Sequence, residues 1–232
     1  MAKKAAPPPS NPTRFYAILG GLAVVGVGVI YYLVAAPKSI SIPIPTTIAV
    51  SDTSGFRGYL LGSSAAKIEI TEFADYQCPA CQSFEILQFD VVKRDLIDAG
   101  KIRWRYRDFP LDPIHPNARL AAHAAACGDD QGKFWELHRA IYENQSAWFP
   151  SRSATGFFRD YAKTVGLDQA KFDECMRSGK FAGRIQASLN EGNALGVSST
   201  PSFVIGGRLY RGAMTSDSLV AIAGRLAADS TK

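Results

Sequence analysis

Hydrophobic and polar positions change rhythm several times along the chain, and each change predicts an element. The most uniform stretch is FYAILGGLAVVGVGVIYYLVAA, residues 15–36, with 22 positions that carry no charge and show no polar face. At ~1.5 Å rise per residue, a helix of that length crosses a ~30 Å hydrocarbon layer. Further on, KIEITEF (67–73) reads as a strand, and KIRWRYRDF (101–109) alternates Ile102, Trp104 and Tyr106 with Arg103, Arg105 and Arg107 at period two. Between them, Phe84, Leu87 and Val91 recur at i, i+3 and i+7, a helical spacing with Gly100 as its stop. The opening order is β-α-β.

A helical block follows, from about residue 115 to 193. NARLAAHAAAC (117–127) is dense in the best helix former and starts at Asn117 behind Pro116. QGKFWELHRAIYENQ (131–145) puts Phe134, His138, Ile141 and Tyr142 near one face, and two further segments end at Gly166 and Gly179. The chain then returns to β pattern: Phe203-Val204-Ile205, a Gly206-Gly207 turn and Arg208-Leu209-Tyr210 predict a hairpin. A last helix runs from Ser216 to about Ala228, with Ser216 as cap and Asp217 in its first turn. The order β-α-β, helical insert, β-β-α reads as two halves of a thioredoxin-like α/β core separated by helices.

Composition adds the boundaries. AAPPPSNP before the apolar segment and PKSISIPIPTTIAVSDTSG after it are rich in Pro, Ser and Thr, the composition of a tail and a tether. The expected division is a cytoplasmic tail at 1–14, a transmembrane anchor or uncleaved signal at 15–36, an extracytoplasmic linker at 37–56 and a folded domain at 57–232. With 232 residues and 47% hydrophobic content, one sizeable core is expected beside these appendages. The net charge of +5 is mostly local: Lys3, Lys4, Arg14 and Lys38 fall in the first fifty residues with no acid, leaving about +1 for the rest. That balance gives nucleic acid no electrostatic footprint on the main domain. The bases preceding the apolar segment keep the N-terminus cytoplasmic and the domain outside, and Tyr16, Tyr31 and Tyr32 fit interfacial anchoring. A cleaved signal peptide is the alternative, with Val34-Ala35-Ala36 at a cleavage site, although its apolar run is ordinarily ~7–15 residues. Both routes deliver the domain, periplasmic or on the cell-surface side, to an oxidising compartment.

Cys78-Pro79-Ala80-Cys81 lies where strand gives way to helix. It can be a redox pair, half a zinc site or a structural disulfide. Pro79 suits the first helical position, which makes Cys78 the candidate N-cap, and a thiolate there meets unpaired N–H groups and the positive end of the helix dipole. Cys81 lies on the same face one turn deeper. A four-cysteine zinc site needs a second close pair, whereas Cys127 and Cys175 stand far apart, with only His123 at ligand-like spacing. A structural disulfide across so short a loop removes little unfolded-state entropy. The redox pair is favoured, with neither a metal nor an organic cofactor. Cys127 and Cys175, left over in an oxidising compartment, are expected to pair and staple the insert.

Several segments in order, EFADYQCPAC, RYRDFPLDPIHPNARLAAHAAAC, QGKFWELH, KFDECMRSGKFAGRIQ and ALGVSSTPSFVIGGR, resemble the DsbA-like disulfide oxidoreductases of the thioredoxin superfamily, particularly their membrane-tethered bacterial branch. The resemblance covers roughly Tyr59 to Arg225. It implies a thioredoxin-like fold with a helical insertion, preceded here by one N-terminal transmembrane helix, a nucleophilic Cys78 and a buried Cys81. It also implies a cis proline at Pro201, with Thr200 before it offering backbone groups to an extended substrate. Glu72 falls where such proteins carry an acid that accepts the proton of the second cysteine; Asp75 is a lesser candidate, and His115 and His138 lie in stretches of structural type. The implied activity is thiol–disulfide exchange, oxidising cysteines of exported proteins and recycled by a membrane quinone-linked re-oxidase of the DsbB or vitamin K epoxide reductase-like type. The Pro-Ala dipeptide and Thr200 leave a reductase or isomerase of the same fold as alternative, and a non-catalytic tethered client-binding module as another.

Overall fold

The computed structural model describes residues 12–35, 40–45 and 55–229. The chain divides into two compact units, 1–38 and 39–232. The first holds helix α1, Pro12–Ala35, whose described side chains are apolar and, Gly26 apart, exposed. Among the described residues no helix is long and apolar enough to cross a membrane. The side chains of α1 are described over 16–31 only, a length of ~24 Å at ~1.5 Å per residue. Most of the expected tail, 1–14, lies outside the described residues, as does 46–54 of the expected linker.

The second unit is built on a five-stranded sheet of β1 (Tyr59–Leu61), β2 (Ile68–Ala74), β3 (Ile102–Asp108), β4 (Ser202–Ile205) and β5 (Arg208–Arg211), in the order β1-β3-β2-β4-β5. β2 pairs parallel with β3; every other pairing is antiparallel. The parallel pair is joined by α2 (Pro79–Leu87), α3 (Phe89–Val92) and a π-helical turn at Lys93–Ile97. The helical insert consists of α4 (Ala118–Asp129), α5 (Phe134–Glu143), α6 (Gln145–Trp148), α7 (Thr155–Thr164), α8 (Gln169–Ser178) and α9 (Ala182–Ala194). α10 (Ser216–Asp229) closes the fold.

Strand alternation decides what lies on each side of the sheet. Ile70, Trp104, Phe203 and Ile205 face Phe84, Phe89, Val92, Leu219 and Ile222 in one buried cluster; Phe73, Phe109 and Val197 form a second on the other face. There α9 approaches closely, because Gly192 has no Cβ: one placed on it would lie 2.6 Å from a Phe109 ring carbon. Glu191 beside it pairs with Arg105 (2.7 Å) and Arg107 (2.6 Å) of β3. The β4–β5 turn uses Gly206 and Gly207 at φ +56° and +75°, the consecutive left-handed pair that a tight hairpin requires.

Four details depart from the sequence pattern. β1 is an additional three-residue strand. Leu87 is 69% exposed, because the helix after the cysteines breaks at Gln88 and turns its apolar face onto Phe89 and Val92. The last helix is capped by Thr215, whose side chain accepts from the Ser218 N–H, one residue before the expected Ser216. Within the expected linker, Ile42 is buried against the insert and Ile40 packs beside it, so residues 40–45 lie on the folded unit.

Candidate active site

β2 ends at Ala74, and four residues carry the chain from the sheet to Pro79, the first residue of α2. Cys78 occupies the N-cap in extended conformation (φ −74°, ψ 122°), where its carbonyl accepts from the Gln82 N–H (3.1 Å). The residues around it hold the loop. Asp75 accepts at its backbone carbonyl from the Cys78 N–H (3.0 Å) and at its carboxylate from the Gln77 N–H (2.7 Å). Gln145 of α6 donates to the carbonyls of Tyr76 (2.7 Å) and Cys78 (3.1 Å). Gln77 accepts from the Asn117 N–H (2.8 Å) and donates to the Phe149 carbonyl (3.0 Å). The insert thus fixes the backbone on either side of the first cysteine. Buried carbonyls and N–H groups that would otherwise lack partners are satisfied by side chains distant in sequence.

Cys78 and Cys81 are free thiols and both are buried, Cys81 more completely. Their acidities diverge. Cys78 is pulled down to about 5, chiefly by a hydrogen bond with the Cys81 thiol; burial opposes this, while Thr200 and the backbone N–H groups of Cys81 and Ala80 assist. Cys81 is pushed well above an ordinary thiol, first by burial and then by its bond to Cys78 and that neighbour's charge. The Asp75 N–H points at the Cys81 sulfur (3.5 Å). One thiolate beside one more deeply buried, protonated thiol is the arrangement thiol–disulfide exchange requires.

The opposite wall is the loop before β4. The Thr200–Pro201 peptide bond is cis, and the Thr200 carbonyl accepts from the Cys78 thiol (3.4 Å). Beneath the cysteines lies Glu72, on the same face of β2 as Ile70 and 3% exposed, with its pKa raised well above an ordinary carboxylate by burial and by the Glu85 charge. Its charge acts on Cys81. The Asp75 carboxylate turns elsewhere, to the Leu111 N–H (2.7 Å) and His115 Nδ1 (2.8 Å). His138 accepts or donates at Nδ1 with the Tyr76 hydroxyl (2.7 Å) and packs among Tyr106, Phe134 and Tyr142.

Cys127 of α4 and Cys175 of α8 form a disulfide remote in sequence from the redox pair. With His123 they bring three potential ligand atoms within 4.8 Å of one another, but both sulfurs are joined to each other. The Phe181 N–H donates to His123 Nε2 (3.4 Å), which leaves the ring proton on Nδ1, facing the Cys127 sulfur at 3.5 Å. Burial lowers His123 to about 4, so the ring is neutral. This is the chemistry of a packed disulfide rather than of a metal cage. Sequence reasoning missed Gln77 and Gln145, whose signal was polarity at positions the fold buries, visible only once the insert is in place; Asn117, read as a helix start, stands at the N-cap of α4 and gives its N–H to Gln77.

Residues 56–223 match the protein family described as Thioredoxin. Among curated proteins, a Na(+)/H(+) antiporter NhaA 3 of Salinispora tropica is 32% identical over 165 residues, 71% of this chain and 24% of that protein. The chain thus spans about a quarter of the length of the curated relatives it first matches. A Probable disulfide bond formation protein D of Bacillus anthracis is 25% identical, covering 64% of this chain and 70% of its own. Among solved structures, a protein-disulfide isomerase of Novosphingobium aromaticivorans is 30% identical with a TM-score of 0.62, covering 72% of this chain and 96% of its own. Wolbachia pipientis alpha-DsbA1 shares the fold at 24% identity, with a TM-score of 0.66 over 74% of this chain and 91% of its own. With a CxxC pair at the head of α2, a cis proline opposite and the match over residues 56–223, the chain belongs to the thioredoxin family.

Proposed function

We propose that this oxidoreductase acts as an oxidant of cysteines in exported proteins, through Cys78 and Cys81. The observation that carries this reading is the divided acidity of the pair. A Cys78 thiolate stabilised to about 5 favours the reduced protein, and whatever stabilises the reduced form makes the disulfide a stronger oxidant. A substrate thiolate attacks the Cys78 sulfur of the oxidised pair; the S–S bond breaks and Cys81 leaves with the electron pair, taking up a proton. A second substrate thiolate then attacks the substrate sulfur of the mixed disulfide, releasing an oxidised substrate and the reduced enzyme. In reoxidation Cys81 must lose its proton, and Glu72, buried beneath it with a raised pKa, is the group suited to accept it. Thr200 and Pro201 receive the substrate segment, the Thr200 backbone pairing with it as an added strand.

The same reading includes a membrane tether. Residues 15–36 serve as an anchor with the N-terminus cytoplasmic, and the folded unit, which already includes the packed residues 40–45 of the expected linker, is the extracytoplasmic catalytic domain. It is supported by the uncharged sequence, the exposed apolar side chains of α1 and the basic residues before it. Relatives named as antiporters, membrane proteins that include a region like this chain, add to it. Reoxidation falls to a membrane quinone-linked partner of the DsbB or vitamin K epoxide reductase-like type. Trapping tests the function: with Cys81→Ala, exported proteins should accumulate as mixed disulfides on Cys78 in the membrane fraction. Capture of one dedicated reduced partner, with no newly exported substrates, would support the reductase reading instead.

A further inference from the structure

The two residues between the cysteines, Pro79 and Ala80, carry no charge and no side-chain hydrogen-bond donor. A histidine from another loop bonds to the residue whose backbone meets both cysteines. The Asp75 carboxylate is wholly buried and accepts from the Gln77 N–H, the Leu111 N–H and His115 Nδ1 (2.7, 2.7 and 2.8 Å). Among the described residues, His115 is the one basic side chain within ion-pair distance of it. The loop that delivers His115 is itself fixed: the N–H groups of Ile114 and His115 donate to the Leu111 carbonyl (both 2.9 Å), and the His115 carbonyl accepts from Ala118 at the head of α4 (3.0 Å). The backbone of the same aspartate accepts from the Cys78 N–H and donates to the Cys81 sulfur. One residue therefore joins the imidazole to both cysteines.

We propose that His115, held as an imidazolium by Asp75, is the positioning cation of the Cys78 thiolate, supplying from the β3–α4 loop the charge that Pro79 and Ala80 lack. A buried carboxylate needs a compensating charge, and an imidazolium bonded to it through Nδ1 keeps its other N–H and the rest of its positive charge for the cleft. The ring is bonded to Asp75 beyond the end of β2 and packs near the Phe149 ring after α6, at 6.5 Å between centroids, and the charge of Cys78 at the head of α2 acts on it. The hydrogen bond to Asp75 raises the His115 pKa against the opposing effect of burial, and the charges of Asp75 and Cys78 raise it further. This inference rests on Cys78 being a reactive thiolate but not on the direction of electron flow.

Coupling between the two groups is reciprocal, which gives a test that leaves His115 itself unchanged. The His115 ring is titrated by NMR in the reduced protein, in the oxidised protein and in Cys78→Ser. The midpoint should fall when the thiolate is removed, by oxidation or by serine, and equal midpoints in all three states would overturn the proposal. In His115→Gln, the proton affinity of Cys78, read by thiolate ultraviolet absorbance, should rise about tenfold, and the equilibrium constant with glutathione at pH 7 should shift about tenfold toward the disulfide. Unchanged values in a folded variant would reduce His115 to a structural residue. Loss of thiol–disulfide exchange in Cys78→Ser tests the function separately, so failure of one reading is distinguishable from failure of the other.

Discussion

The pH dependence of the reduction potential follows directly from the divided acidity of the cysteines. An ordinary thiol near 9 is protonated at pH 7, whereas Cys78 at about 5 is thiolate by roughly a hundred to one. The reduced protein thereby gains ~2.7 kcal/mol at pH 7 over one with an ordinary first cysteine, which for a two-electron couple is ~60 mV of added oxidising strength. Cys81 stays protonated through neutral pH, since burial raises it well above its ordinary value. Between pH 5 and the titration of Cys81, reduction takes up one proton for two electrons and the potential should fall ~30 mV per pH unit. Below pH 5 it takes up two, and the slope should steepen to ~59 mV. Equilibration with a redox buffer from pH 4 to 9, alongside thiolate absorbance of the reduced protein, reads both quantities. A slope of ~59 mV persisting through pH 7, with the absorbance rising only near pH 9, would refute the reasoning.

Further consequences are independent of that measurement. Cys81→Ala removes the hydrogen bond that contributes most to the acidity of Cys78, so the thiolate titration should move upward in that variant. The folded-state pKa of Cys78 lies below its unfolded value, so it stabilises the reduced protein above pH 9 and loses that contribution as pH falls through about 5. Between pH 7 and 4 the reduced protein should therefore lose ~2–3 kcal/mol more stability than Cys78→Ser, measured by denaturant unfolding. Glu72 is the reverse case: its raised pKa makes stability fall as pH rises above the ordinary carboxylate range, and Glu72→Gln should flatten that fall while slowing reoxidation of the dithiol in stopped flow. The double variant Cys127→Ala/Cys175→Ala opens a loop closed across 48 residues and should lose ~3–5 kcal/mol on the chain-entropy account, yet keep the thiolate titration of Cys78.

Local chemistry was readable from the chain alone. The period-two run of Ile102, Trp104 and Tyr106 became three buried side chains of β3, and Gly206-Gly207 became the hairpin turn. Pro79 after Cys78 read as a helix start, and the cysteine stands there as the N-cap. What escaped was set by contacts between distant segments. The Cys78 loop is held by Gln145, Asn117 and Asp75, and a hydrogen bond such as Gln145 to Tyr76 spans 69 residues with no local periodicity to announce it. Leu87 reads as a core position only if the helix continues unbroken, and the break at Gln88 with the π-helical turn after it moves the buried face. Ile42 sits in a Pro- and Ser-rich run that looks like free tether, and only the surface offered by the insert buries it.

The direction of electron flow is the central claim, and the standard reduction potential of the Cys78–Cys81 pair tests it most directly. Equilibrated with glutathione at pH 7, the pair should lie well above thioredoxin, toward the value of about −120 mV found for a strong disulfide donor. A potential near about −270 mV would contradict the account and assign the protein to the reducing side of the family.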